Sequence, residues 1–64
     1  MTLYRWTLDD SGGVTVLVYR PSEHEGVMDE IKLSFDSLDA LRELLSELAA
    51  IIEATQGNEG EIEL

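Results

Sequence analysis

Sixty-four residues allow one small domain; without cysteine, disulfides and thiolate metal sites are excluded, and a single histidine cannot hold a structural zinc. Fourteen acidic residues against four basic ones give a net charge of −10, which excludes direct binding to a nucleic acid backbone and argues against anionic membranes, since both need clustered Lys and Arg. At 44% hydrophobic the chain is too apolar for a disordered acidic tail, so the charge either solubilises a fold or is addressed to a basic partner. Halophilic adaptation is a third reading, suggested by the single lysine, Lys32; nine glutamates to five aspartates and large core residues count against it.

Residues 2–8, TLYRWTL, alternate, with Tyr4, Trp6 and Leu8 on one face and Leu3, Arg5 and Thr7 on the other. DDSGG at 9–13 is rich in residues that tolerate positive φ, and VTVLVYR at 14–20 follows, so the two strands form an antiparallel hairpin. Pro21 ends the second strand because it cannot donate to a ladder. After the polar connection PSEHEG, VMDEIKLSF at 27–35 alternates again and reads as a third strand, with Ile31, Leu33 and Phe35 on one face.

The helix is the clearest element. Asp36 or Ser37 caps it, and Asp36 and Asp39 favour the positive end of its dipole. Leu38, Leu41, Leu44, Leu45, Leu48, Ala49, Ile51 and Ile52 fill an apolar arc of roughly 160°, with Asp39, Glu43, Ser46, Glu47 and Glu53 opposite. Gly57 stops the helix. The expected fold class is α+β: a three-stranded antiparallel meander with one C-terminal helix packed on one face. Residues 1–57 form that single domain, and residues 58–64 form an acidic, flexible tail whose EIEL end alternates and can add as an edge strand.

This plan leaves the second strand apolar on both sides. The helix covers the face of Tyr4, Trp6, Leu8, Val14, Val16 and Val18, whereas Leu3, Leu17, Tyr19 and Met28 form an exposed patch or an interface on the other face. A core this small rarely supplies more than roughly 3–5 kcal/mol, and a partner chain is the remedy left, so a homodimer is expected. The leucine stripe also fits a/d spacing over barely two heptads, which packing on the sheet explains better than pairing with a second helix in a homodimer does.

Motifs for chemistry are missing. His24, in SEHEG, is the one base available, no serine stands in a nucleophile motif, and DDSGG lacks the ligand pattern of a calcium loop. GG at 12–13 precedes a strand, whereas phosphate-cradling loops precede a helix. No catalytic, metal or cofactor residue is assigned, and an enzyme is not expected. MTLYRW carries no leader pattern and no apolar run approaches the roughly 20 residues of a membrane helix, so the cytoplasm is the expected location.

Asp39, Glu43 and Glu47, four apart, line one helix ridge at about 6 Å spacing, a row that is either a solvated face or a docking surface. With Glu23 and Glu25, and with the apolar patch, they are the candidate partner-binding residues. In size, charge and layout the chain resembles small virus-encoded inhibitors, some of which mimic DNA to block uracil-DNA glycosylases, CRISPR nucleases or other nucleic-acid enzymes. That resemblance implies an inhibitor or antidote for a protein with a basic surface. The alternative is a homo-oligomeric structural or accessory protein without catalytic activity.

Overall fold

Alternating sequence becomes sheet wherever a polar turn separates two such runs. In the computed structural model, which describes residues 1–64, β1 (Leu3–Leu8), β2 (Val14–Pro21) and β3 (Met28–Phe35) pair antiparallel in the expected meander. The register sets Tyr4 beside Val18 and Ile31, Trp6 beside Val16 and Leu33, and Leu8 beside Val14 and Phe35. One face therefore collects the large apolar side chains. In the first turn Gly12 takes φ +92, and the Asp9 carboxylate accepts hydrogen bonds from Ser11 N, Ser11 Oγ and Gly13 N at 2.6–3.0 Å. Pro21 closes β2 opposite Met28, beyond the last pairing of β2 with β1 at Tyr19–Leu3, so no ladder donor is lost there.

Ser37 caps the first helix: its hydroxyl accepts from Ala40 N at 3.1 Å, with Asp39 in the first turn. Two expectations then need correction. The single helix is two, α1 (Leu38–Leu44) and α2 (Ser46–Ala54), separated at Leu45, whose φ −132 and ψ 71 are not helical. The chain bends there while keeping the bonds from Leu45 N to Leu41 O and from Ala49 N to Leu45 O. A straight helix would place Arg42 and Glu53 about 16 Å apart along its axis; bent, it lets Arg42 reach Glu53 as well as Asp39. The second correction concerns the tail. Residues 59–63, expected to be flexible, form β4 (Glu59–Glu63), which pairs antiparallel with β1 and gives the order β3-β2-β1-β4.

The two corrections share a cause. α1 starts beyond Phe35, and β4 starts opposite Thr7, at the same end of the sheet. The chain must therefore go out and come back over one face, which a straight helix cannot do. Trp6, Val14, Val16 and Val18 from the sheet, Leu41 from α1, and Leu48, Ala49 and Ile52 from α2 make the buried core. Leu44, expected on the packed stripe, is 65% exposed instead, because the bend turns it outward. No helix is long and apolar enough to cross a membrane.

Candidate partner-binding surfaces

The face of the sheet away from the helices is built from the odd residues of β1, β2 and β4 and the even residues of β3. Across it run three rows: Glu59–Thr7–Thr15–Ser34, Glu61–Arg5–Leu17–Lys32 and Glu63–Leu3–Tyr19–Glu30. Leu3, Leu17 and Tyr19 are thus neighbours on the two central strands, and all three are half-buried. Arg5 covers part of this strip. Its guanidinium carbon lies 5.7 Å from the Tyr19 ring centroid, while Nε and Nη2 each donate to Glu61 Oε2 at 3.2 Å. Met28 sits at the margin, diagonal to Tyr19 and 54% exposed. The patch read from sequence is therefore one surface, with long side chains shielding its centre.

The acidic candidates are distributed differently. Asp39 and Glu43 lie on α1 and Glu47 lies on α2, so the bend at Leu45 divides the continuous ridge that a single helix would carry. Asp39 is paired with Arg42, whereas Glu43 and Glu47 enter no ion pair. Glu23 and Glu25 occupy the loop between β2 and β3 and are exposed. His24, between them, has its backbone held by Ser22: the Ser22 hydroxyl accepts from His24 N at 3.0 Å and donates to His24 O at 3.1 Å. Nothing joins this loop to the helices by a hydrogen bond or an ion pair.

One acidic row was not assigned from the sequence. Glu59, Glu61 and Glu63 project from the outer face of β4 at steps of about 7 Å, beside the apolar strip. Its signal was the alternation in EGEIE, which an acidic C-terminal segment disguises as solvated tail. β4 is anchored by packing: the Trp6 indole covers Gly60, where a Cβ would stand 2.4 Å from Trp6 Cζ2. Ile62 packs against the core from the same inner face.

Around the bend, Tyr4, Leu44, Leu48 and Leu64 line a shallow, mostly apolar groove. No three His, Asp or Glu side chains converge where a metal ion would sit. The titration of Asp9 is displaced, held below the usual carboxylate range chiefly by the Ser11 hydroxyl and then by the Gly13 N–H, with its slight desolvation opposing them. That carboxylate shapes its own turn, with Ser11 Oγ donating to it at 2.6 Å. The outer surface presents an apolar centre, carboxylates at regular spacing, and open sheet edges. No protein family model matches the chain, and no similar curated protein or solved structure was found.

Proposed function

We propose that this chain is a stoichiometric inhibitor or antidote. It binds a basic surface of a nucleic-acid enzyme, such as a uracil-DNA glycosylase or a CRISPR nuclease, in place of the nucleic acid. One observation carries the reading: one outer sheet face holds both the apolar strip of Leu3, Leu17 and Tyr19 and the carboxylate row Glu59, Glu61 and Glu63 at its margin, with Glu63 next to Leu3 and Arg5 set between Glu61 and Leu17, on a four-stranded platform. Buried apolar or aromatic anchors supply most of an interface's affinity, while charge supplies steering and specificity. Regularly spaced carboxylates on a strand offer a linear negative field of the kind a phosphate backbone offers. Glu43 and Glu47, and Glu23 and Glu25, extend the negative field to other surfaces and steer approach at longer range.

The test is an inhibition titration against purified glycosylases and nucleases, in about 50 mM and about 200 mM salt. The reading expects one enzyme to lose activity in proportion to added chain, with weaker inhibition at the higher salt. The triple variant Glu59→Lys/Glu61→Lys/Glu63→Lys should abolish that inhibition while remaining folded, and Glu43→Lys/Glu47→Lys reports separately on the helix surface. Full activity of every enzyme at a large excess of chain contradicts the reading. A homo-oligomeric accessory role is the second reading, favoured by the open edge of β3.

A further inference from the structure

Both edges of the sheet are open, and they differ in what they can accept. Along an antiparallel strand, residues alternately bond one neighbour and turn N–H and C=O toward the other side. Thr2 and Leu64 exchange both bonds, at 3.0 and 2.9 Å, and Leu8 N–H donates to Asn58 O at 2.7 Å. The even residues from 58 to 64 therefore bond β1, and Glu59, Glu61 and Glu63 turn their backbone groups outward. Asp9 N–H donates to Gly13 O at 3.0 Å, which gives the odd residues of β1 to β2. The even residues of β2 then bond β3 through the pairs Val14–Phe35, Val16–Leu33, Val18–Ile31 and Arg20–Asp29. On the free edge of β3 the outward groups belong to Met28, Glu30, Lys32 and Ser34.

We propose that this edge of β3 pairs antiparallel with β3 of a second copy, about a two-fold axis through Ile31. In that register Glu30 faces Lys32 of the second copy and Lys32 faces its Glu30, so two opposite-charge pairs form on the outer face. Met28 faces Ser34 of the second copy, and on the inner face Ile31 meets Ile31. Moving the axis by one residue sets Glu30 against Glu30 or Lys32 against Lys32. The charge pattern thus selects one register. It also uses the chain's single lysine, which has no ion-pair partner within the monomer.

Exposure points to the same edge. Of the six large hydrophobic side chains left exposed, three lie in or beside β3: Val27, Met28 and Ile31, the last two at 54% and 36%. Five consecutive residues of β3, from Met28 to Lys32, are exposed. The other edge repels its own copy. Two β4 strands paired about Glu61 would place Glu61 on Glu61 and Glu59 on Glu63, three like-charge contacts on one face. One edge is self-complementary and the other self-repelling, so association closes as a dimer and does not propagate into a filament. The product is a continuous eight-stranded sheet, within the usual size of open sheets. Its two outer faces lie on the same side. The inference stands whether or not the inhibitor reading holds.

Sedimentation equilibrium of the full chain from micromolar to millimolar concentration, in about 0.15 M salt to screen the general repulsion, tests the proposal. A monomer–dimer equilibrium is expected. Lys32→Glu, which replaces two attractive contacts by two repulsive ones, should weaken it about tenfold or more. The exchanged pair Glu30→Lys/Lys32→Glu should restore it, because each residue again meets its opposite across the axis. Lys32→Pro, which removes an outward N–H and leaves the bonds to β2 intact, should abolish it, with Trp6 fluorescence showing that the fold survives. A chain that stays monomeric at millimolar concentration overturns the proposal. So does a dimer indifferent to Lys32→Glu, or one that the exchange fails to restore.

Discussion

Trp6 and Gly60 show how much one pair of residues decides. The indole is 3% exposed, and the atoms that reach Gly60 belong to its six-membered ring: Cζ2, Cη2 and the fusion carbon Cε2. A phenyl ring in its place would stop short of β4. The packing on Gly60 stands against the burial of the Nε1–H without a hydrogen-bond partner, a loss of about 1–3 kcal/mol in general. Gly60→Ala puts a methyl group inside the ring's contact distance and should destabilise the chain by about 1–3 kcal/mol, read from urea unfolding followed by Trp6 fluorescence. An unchanged midpoint would show that the indole does not pack on β4. The inward orientation of Trp6 was legible from local alternation. Its partner was not, because Gly60 is far along the chain and glycine carries no pattern of its own.

At the scale of elements, the β1–β2 hairpin is the most legible, since its turn is written in residues whose side chains act locally. Asp9 binds its own turn through three donors, and those bonds favour the carboxylate. A group whose pKa is lower in the folded chain than in the unfolded one stabilises the fold above the unfolded value, about 3.9 for Asp. That stabilisation disappears as pH falls through the lower, folded value. Asp9→Asn should therefore be less stable than the parent at pH 7, and the gap between the two should close as pH falls below about 3.9. Paired urea titrations at the two pH values check this, and a gap that persists in acid would assign the effect of Asp9 to geometry alone. The meander was equally readable, because three runs alternate and polar turns separate them.

The helix and the tail were less legible, for physical reasons that lie outside each segment. No Pro or Gly marks the bend at Leu45, and the apolar stripe continues through it without interruption. The bend is set by the need to return to the end of the sheet where β4 begins. Gly57 is the expected stop; α2 ends before it, at Ala54, and Thr55 closes it with its N–H and hydroxyl both donating to Ile51 O. In the tail, acidity suggested solvation, while alternation in EIEL suggested a strand. Pairing with β1 and cover from Trp6 decide for the strand.

The whole molecule is a small core with a large, negative exterior. Eight residues are buried, and the accessible surface is 4614 Å², against about 4,100 Å² for a typical monomer of 7.1 kDa. Much of that excess belongs to an elongated shape, 38 × 20 × 19 Å. Arg5 and Arg42 are committed to Glu61, Asp39 and Glu53, so most of the carboxylates face solvent unpaired. Surface pairs of this kind contribute at most about 1 kcal/mol each, so a stabilising role does not account for the acidic excess; on the proposed reading the unpaired carboxylates are the surface shown to a basic partner. The strength of that surface depends on the carboxylates being held in a row, which the sheet does for Glu59, Glu61 and Glu63 and a mobile tail would not.

Amide hydrogen exchange over residues 58–64, in dilute solution, tests that dependence most directly. If β4 is the fourth strand, the amides of Gly60, Ile62 and Leu64 exchange slowly because they bond β1, and those of Glu59, Glu61 and Glu63 exchange fast because they face the open edge. Uniformly fast exchange through the segment would contradict the account: the row would then be a tail, and the outer face would lose its acidic rim.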